Sequence, residues 1–318
     1  MIDILLVLGG LAALVFGGDW LVRGSVSLAR SVGIPPLVIG LTLVGFGTST
    51  PELVTSLQAA SVGAPGIAVG NVVGSNIGNI LLILGLTALL RPVLVDPAAF
   101  RRDGSVMLIA TLLAVGAVMA GTMGRGAGAL FLAVLLVYLV GTIVYERRRA
   151  TAAAAVYEGE ADLVALAPDS SLKAAGLAIA GLIVVILGAR LLVSGAVALA
   201  EAAGISETVI GLTIVAIGTS MPELVTSIVA VRRGEGEVAF GNVVGSNIFN
   251  ILGILGITAL VSPLAIPPEI IRFDIWVMLA ATLVMMLFAV TGWRVGRREG
   301  AIMLAGYGLY LAVLLTGL

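Results

Sequence analysis

The sequence predicts an all-α integral membrane protein with ten transmembrane helices, arranged as two inverted five-helix repeats. Two observations carry this prediction. The 318 residues are 60% hydrophobic and 11% charged, with a mean hydropathy of +1.19, whereas about a quarter of the residues in soluble domains are charged. The chain also matches itself at an offset of 171 residues, which is typical of a tandem duplication.

Apolar stretches long enough to cross a bilayer recur along the chain. A hydrocarbon core of about 30 Å requires about 20 apolar residues per helix, and these runs are apolar all round, without the alternation of a barrel strand. Five predicted spans lie in the first half, at Ile4–Val22, Leu37–Ala60, Val69–Leu90, Val106–Ala120 and Ala127–Tyr145. Five more lie in the second half, at Leu172–Leu192, Val209–Val231, Phe240–Val261, Ile275–Val290 and Ala301–Leu315. The 42 glycines predict close packing between these helices through small faces.

The basic residues are distributed unevenly between the two sides of this arrangement. When the chain is threaded through ten spans, all but three of the 17 Lys and Arg residues share one side, the exceptions being Arg125, Arg190 and Arg272. The positive-inside tendency makes the richer side cytoplasmic. We therefore expect a multi-pass protein of the plasma or inner membrane, embedded in lipid, with both termini outside.

The longest polar stretch predicts the domain boundaries. Residues 1–146 form the first five-helix repeat and residues 172–318 form the second. Residues 147–171, which include Arg147-Arg148-Arg149, form a cytoplasmic linker that is too short for a folded regulatory domain.

Charge and composition exclude several functions. The formal net charge of -1 leaves no basic surface for nucleic acid. The chain has no Cys and no His, so thiolate or imidazole metal sites and His-dependent catalysis are absent. An intramembrane protease would need paired Asp residues inside spans, which we do not find. We therefore expect a protein that is not an enzyme and carries no cofactor.

Two blocks of the duplication match most closely. Residues 40–56, GLTLVGFGTSTPELVTS, correspond to residues 211–227, GLTIVAIGTSMPELVTS. Residues 70–86, GNVVGSNIGNILLILGL, correspond to residues 241–257, GNVVGSNIFNILGILGI. Because each copy holds an odd number of spans, the second copy enters the membrane from the opposite face. That arrangement is typical of secondary transporters, although a duplicated scaffold without transport function is an alternative.

Fainter matches extend the duplication beyond the two blocks. They pair Asp103 with Asp274 and, after a shift of one residue, Tyr138 with Tyr310.

Two acidic residues lie well inside apolar spans, and they occupy matching positions. A carboxylate in hydrocarbon costs several kcal/mol unless a cation, a proton or water compensates it. We therefore expect Glu52 and Glu223 to form one central site where the two halves meet. The alternative is local, because Ser49-Thr50-Pro51-Glu52 and Ser220-Met221-Pro222-Glu223 also fit capping boxes at a helix restart.

The neighbours of these acids are oxygen ligands. Pro51 and Pro222 lack an N–H, so each interrupts its helix and frees carbonyls near Gly47 and Gly218. The two halves would contribute only oxygen atoms, which suits hard cations such as Ca²⁺ and Na⁺. The residues concerned are Thr48, Ser49 and Glu52 in the first half and Thr219, Ser220 and Glu223 in the second.

The second block adds polar residues at helical spacing. Ser75 and Asn79 are four residues apart, as are Ser246 and Asn250, so each pair shares one helix face that can point at the carboxylates. The GNVVG segment within the block is also a G-x-x-x-G packing motif, and close packing would bring these polar residues together.

The repeated motifs G-T-S-x-P-E and G-N-x-x-G-S-N-I-x-N resemble the α-repeats of the calcium/cation antiporter superfamily, particularly its sodium/calcium exchanger branch. The resemblance covers both halves, and it implies the same ten-helix fold and exchange of Ca²⁺ against Na⁺ by alternating access. The bound ions would be substrates. By motif position their ligands would be Thr48, Ser49, Glu52, Ser75, Asn79, Thr219, Ser220, Glu223, Ser246 and Asn250, with the backbone carbonyls of Gly45 and Ala216.

One position departs from the family pattern. Asn250 stands where many exchangers carry Asp, so the site has two carboxylates and the counter-ion and stoichiometry stay open. Ca²⁺ is the preferred substrate because two ionised Glu neutralise one divalent ion. The alternatives are an antiporter that exchanges a cation for protons or another monovalent cation, and a cation channel. The sequence leaves the oligomeric state open.

Overall fold

The computed structural model describes residues 2–31, 44–149 and 170–316, together with Gly33, Ile39 and Gly159. Most of the N-terminal part of the predicted span Leu37–Ala60 and most of the predicted linker 147–171 lie outside these residues.

The described chain consists of helices joined by short loops, with four strands of two residues each. The first half contains α1 (Ile2–Ser31), α2 (Gly45–Thr48), α3 (Thr50–Ser61), α4 (Pro65–Leu90), β1 (Val93–Leu94), α5 (Pro97–Met119), β2 (Thr122–Met123) and α6 (Arg125–Arg149). The second half contains α7 (Ser171–Ala203), α8 (Glu207–Thr219), α9 (Met221–Arg233), α10 (Gly236–Val261), β3 (Leu264–Ala265), α11 (Ile270–Val290), β4 (Arg294–Val295) and α12 (Arg297–Thr316).

Eight of the described helices are long and apolar enough to cross a bilayer, namely α1, α4, α5, α6, α7, α10, α11 and α12. Helices α8 and α9 meet at a bend of 44° and make a ninth crossing if the pair is one broken span. The prediction of an all-helical membrane protein is therefore confirmed. The predicted ten spans are one more than the nine crossings that the described residues provide when the bent pair is included.

Helices α4 and α10 form the centre of the protein. In each of them 83% of the most apolar window is buried inside the protein, compared with 22–39% in the other long helices. Val72 and Ile77 of α4 and Val243 and Ile248 of α10 are fully inaccessible. Both helices include a stretch of wider, π-type turns, at Asn79–Leu84 and Phe249–Leu255. The two copies of the second repeated block therefore lie side by side in the core.

Helices α1 and α7 pack against each other along a seam of glycines. Glycine recurs every seven residues on both helices, at Gly10, Gly17 and Gly24 and at Gly181, Gly188 and Gly195. A Cβ atom at Gly17 would lie 2.9 Å from the backbone nitrogen of Val185, and one at Gly181 would lie 2.4 Å from that of Leu21. The two backbones approach too closely for any side chain, which confirms the predicted packing through small faces.

The four short strands tie loops of the two halves together. Strand β1 pairs antiparallel with β4, with Val93 opposite Val295. Strand β2 pairs antiparallel with β3, with Thr122 opposite Ala265. Each loop of the first half that carries a strand is therefore hydrogen-bonded to a loop of the second half.

The fainter sequence matches correspond to equivalent contacts. The Tyr138 hydroxyl donates to Asp103 Oδ1 at 3.0 Å, and the Tyr310 hydroxyl donates to Asp274 Oδ1 at 2.9 Å. Each bond links the last two long helices of its half, α5 to α6 and α11 to α12. The surroundings differ, because Arg102 also pairs with Asp103, whereas Phe273 occupies the matching position beside Asp274.

Candidate ion-binding site

Two helix breaks place the buried acids. Helix α2 ends at Thr48, Ser49 forms the turn, and α3 begins with Pro51 in its first turn. Helix α8 ends at Thr219, and α9 restarts in the same way after Ser220. Proline is suited to a helix start because its missing N–H has no partner there in any case. The predicted interruptions are confirmed, and each places a glutamate in the first turn after the break.

The two glutamates belong to one hydrogen-bonded cluster. Ser49 Oγ donates to Glu223 Oε1 at 3.2 Å, and Ser220 Oγ donates to Glu52 Oε1 at 3.0 Å. Each serine thus binds the carboxylate of the other half, and both glutamates are fully buried. Neither serine caps its own helix through its side chain. The capping interpretation is therefore wrong, and the expected meeting of Glu52 and Glu223 between the halves is confirmed.

Asparagines of the central helices hold the two restarts in place. Asn71 Nδ2 donates to the Glu52 carbonyl at 3.1 Å and to Ser56 Oγ at 2.9 Å. In the second half, Asn242 Nδ2 donates to the Glu223 carbonyl at 3.2 Å and to Ser227 Oγ at 3.0 Å. Asn71 and Asn242 were not among the predicted site residues. Their signal was present, because both lie in the repeated block next to its first glycine.

The threonines at the breaks bond to nearby backbone. Thr48 Oγ1 donates to the Gly45 carbonyl at 3.4 Å. Thr219 Oγ1 lies within bonding distance of the Ala216 carbonyl, at 3.4 Å, and of Asn71 Oδ1, at 3.1 Å. The two threonines and the two carbonyls named as candidate ligands therefore lie together at the breaks.

A serine from each central helix contacts residues at the helix break of the second half. Ser246 Oγ donates to Glu223 Oε1 at 3.4 Å, and Ser75 Oγ donates to the Ala216 carbonyl at 3.5 Å. Glu223 thus receives bonds from Ser49 and Ser246 on one oxygen. Both Ser75 and Ser246 are 1% exposed, so no bulk water competes for these bonds.

The candidate asparagines lie on the same central helices but make different contacts. Asn79 Nδ2 donates to Asn247 Oδ1 of the opposite helix at 3.3 Å. Asn250 has no hydrogen-bond partner at either side-chain atom. Among the described residues neither Asn79 nor Asn250 bonds to a glutamate carboxylate. Asn247 is a further residue that the sequence analysis missed.

The cluster is rich in buried oxygen and lacks a positive partner. The acceptor oxygens Glu52 Oε2, Glu223 Oε2, Asn79 Oδ1 and Asn250 Oδ1 are all buried without a donor. Within the described ranges no Lys or Arg forms an ion pair with either glutamate. An unpaired buried carboxylate is strongly unfavourable, so the site is chemically suited to a cation or a proton.

The fold and the cluster together define a class of protein: a helical membrane protein with two buried glutamates, from two matching segments of the chain, in one oxygen-rich polar cluster. The family described as "Sodium/calcium exchanger protein" matches residues 2–144 and 173–316. The chain belongs to this family.

Relatives along nearly the whole chain agree with this assignment. Inner membrane protein YrbG of Escherichia coli (strain K12) is 40% identical over 316 residues, which cover 97% of this chain and 95% of the relative. Sodium/calcium exchanger MaX1 of Methanosarcina acetivorans is 34% identical over 352 residues, covering 98% of each chain. A solved structure of the sodium-calcium exchanger NCX_Mj, soaked with Na⁺ and Sr²⁺, is 36% identical with a TM-score of 0.66 and covers 98% of both chains.

Proposed function

We propose that this protein is a secondary active antiporter that exchanges Ca²⁺ for Na⁺ across the membrane by alternating access. The observation that carries the proposal is the pair of fully buried glutamates, Glu52 and Glu223, each bonded by a serine of the other half. A site shared between two halves can change its access when the halves move relative to each other. Family membership and the ions named for MaX1 and NCX_Mj support the same substrates.

The ligand chemistry favours a hard cation. Ca²⁺ takes six to eight oxygen ligands, from carboxylates, amide and backbone carbonyls and water. We propose that the ions bind the two glutamates together with the side-chain and carbonyl oxygens that surround them. The proposed ligands are Gly45, Thr48, Ser49, Glu52, Ser75, Asn79, Ala216, Thr219, Ser220, Glu223, Ser246 and Asn250.

We propose ten spans in two inverted repeats of five. If α8 and α9 count as one crossing, the loops that carry β1 and β4 fall on one side and those that carry β2 and β3 on the other. Without that crossing, the paired loops would lie on opposite sides of the membrane, which strand pairing forbids. Residues 40–56 match the start of this broken span in sequence, which supports a tenth crossing that ends in α3.

The distribution of Lys and Arg supports the orientation and the boundaries. We propose that both termini lie outside, and that residues 147–171 join the repeats 1–146 and 172–318 on the cytoplasmic side. The protein needs no resident cofactor in this scheme, because Ca²⁺ and the monovalent ions are its substrates. Its further partner is the lipid bilayer of the cell membrane.

The charge of the site suggests a simple stoichiometry. Asn79 and Asn250 are neutral, so two carboxylates balance one Ca²⁺ or two monovalent cations. We propose that exchange is electroneutral, with the site neutral in both loaded states.

Ca²⁺ uptake into proteoliposomes under imposed ion gradients tests the function. An outward Na⁺ gradient should drive uptake, while equal outward gradients of K⁺ or H⁺ should drive little. Uptake that follows the H⁺ or K⁺ gradient would show that H⁺ or K⁺, and not Na⁺, is the counter-ion, and it would leave the proposed site unchanged. Ca²⁺ entry that is indifferent to every gradient of counter-ion would instead indicate a channel.

A further inference from the structure

A cavity of about 390 Å³ lies between α1, α2 and α9. Its lining includes Thr48, a proposed ligand, and Pro222, the residue before Glu223. It also includes Asp19 and Arg23 of α1. A water molecule occupies about 30 Å³ in the liquid, so the cavity has room for roughly ten. It therefore connects a charged pair on α1 with the edge of the exchange site.

The matching region of the other half is closed. Pro51 is buried, whereas Pro222 is partly exposed, and Thr55 is fully buried, whereas its match Thr226 lines the cavity. Helix α7, the match of α1, packs directly against α3, the match of α9. Among the described residues the cavity therefore reaches the edge of the site from one side, while the two glutamates themselves are fully buried. In the proposed topology that side is the cytoplasm.

The ion pair between Asp19 and Arg23 is exposed and therefore weak. Arg23 Nε lies 2.7 Å from Asp19 Oδ1, and the two side chains are 47% and 43% exposed. An exposed ion pair of this kind contributes about 0–1 kcal/mol, so an arriving cation can displace the arginine. At the position of α7 that matches Asp19 the chain carries Arg190, so the opposite route lacks an equivalent carboxylate.

We propose that Asp19 recruits hydrated cations at the mouth of a water-filled cytoplasmic route to the exchange site, and that Arg23 competes with those cations for the Asp19 carboxylate. A carboxylate at a narrow mouth raises the local cation concentration and the rate of entry. This inference rests on the proposed exchange function. It predicts that cation entry differs between the cytoplasmic and the outer face, although the site itself is shared by both halves.

The first experiment measures Na⁺-dependent Ca²⁺ transport in everted and right-side-out vesicles. Asp19→Asn should raise the half-saturating Ca²⁺ concentration at the cytoplasmic face roughly two- to fivefold, the range that an exposed charge interaction supports. Arg23→Gln should lower it by a similar factor. Neither variant should change the value at the outer face. Glu235→Gln, which removes an exposed acid outside the cavity, should leave both values unchanged.

Equal shifts at both faces, or no shift at the cytoplasmic face in Asp19→Asn, would overturn the inference and leave the exchange function standing. Absence of Na⁺-dependent transport in the wild-type protein would overturn both together.

The second experiment does not depend on transport. Because the chain has no Cys, Val225→Cys provides a single thiol in the cavity and Val54→Cys provides its match in the closed half. A charged, membrane-impermeant thiol reagent should label Val225→Cys when applied to everted vesicles and should spare Val54→Cys when applied to right-side-out vesicles. If an apolar reagent dissolved in the lipid labels Val225→Cys and the charged reagent does not, the cavity is filled by lipid and the inference fails.

Discussion

Glu52 and Glu223 are the residues on which the account depends, because each is fully buried and neither has a basic partner among the described residues. Their duplication made them predictable. A single buried acid has many explanations, whereas two at matching repeat positions point to one shared site. The serine of the opposite half could also be expected at the site, although only the fold shows that it crosses to the other carboxylate.

Replacing either acid with its amide should abolish exchange. Glu52→Gln or Glu223→Gln keeps the shape of the side chain and removes the charge that neutralises the ion. We expect Ca²⁺ uptake to fall by roughly a hundredfold or more, the effect of removing one partner from a buried charge interaction. Proteoliposome uptake measures this, with Glu201→Gln on the exposed end of α7 as the matched control. Wild-type uptake in either site variant would exclude that carboxylate as a ligand.

The neutral side chain of Asn250 is one basis of the proposed stoichiometry, and its replacement tests that proposal. In the wild-type protein, Na⁺-driven Ca²⁺ uptake should be independent of membrane potential. Asn250→Asp adds a third carboxylate to the central helices and should make uptake depend on potential if a further Na⁺ accompanies it. Asn79→Asp makes the matching change in the first half. A strong voltage dependence of the wild-type protein at clamped potential would refute electroneutral exchange.

At the scale of helices, the breaks before Pro51 and Pro222 could be predicted from the absence of a proline N–H. The contacts of the central helices could not. Asn79 meets Asn247 because α4 and α10 cross at that point, and the crossing depends on packing between distant parts of the chain. The bonds from Asn71 and Asn242 to the restarted helices also depend on packing between segments. The repeated block alone therefore did not predict a role for these two asparagines.

The glycine seam between α1 and α7 should tolerate no side chain. Gly181→Val would place a Cβ 2.4 Å from the Leu21 backbone nitrogen. We expect overpacking to destabilise the protein by about 1–3 kcal/mol, seen as a lower thermal midpoint in detergent. Gly176→Val on the same helix is the control, since no atom lies within 4 Å of its Cβ position. Equal midpoints in the two variants would mean that the two helices do not depend on this contact.

For the whole molecule, the number of spans follows from which side each loop occupies. Ten spans with both termini outside, as proposed above, would place the loop after α1 in the cytoplasm and the loop after α3 outside. In intact cells, an impermeant thiol reagent should label Val62→Cys and spare Ser31→Cys, both of which are exposed positions in a chain without Cys. If both positions react alike, α2 and α3 do not complete a crossing and the five-plus-five arrangement is wrong.

The duplication and the hydropathy pattern were sufficient to predict the helical membrane class and the two matching helix breaks. They were insufficient to predict the difference in packing around those breaks. Asp19 and Arg190 occupy matching positions, yet α7 packs directly on α3 while a cavity opens between α1 and α9. Two related sequences can adopt two different packings, so the difference appears only in the assembled molecule.

In the proposed function, Ca²⁺ and Na⁺ cross the membrane as coupled opposite fluxes through one site. The most direct test measures radioactive Ca²⁺ influx and Na⁺ efflux together in the same proteoliposomes. Each flux should require the other ion on the opposite side, and the ratio of the two fluxes should stay constant as either gradient changes. Glu52→Gln should abolish both fluxes. Ca²⁺ influx that continues at full rate without Na⁺ or any other exchangeable cation inside would contradict it.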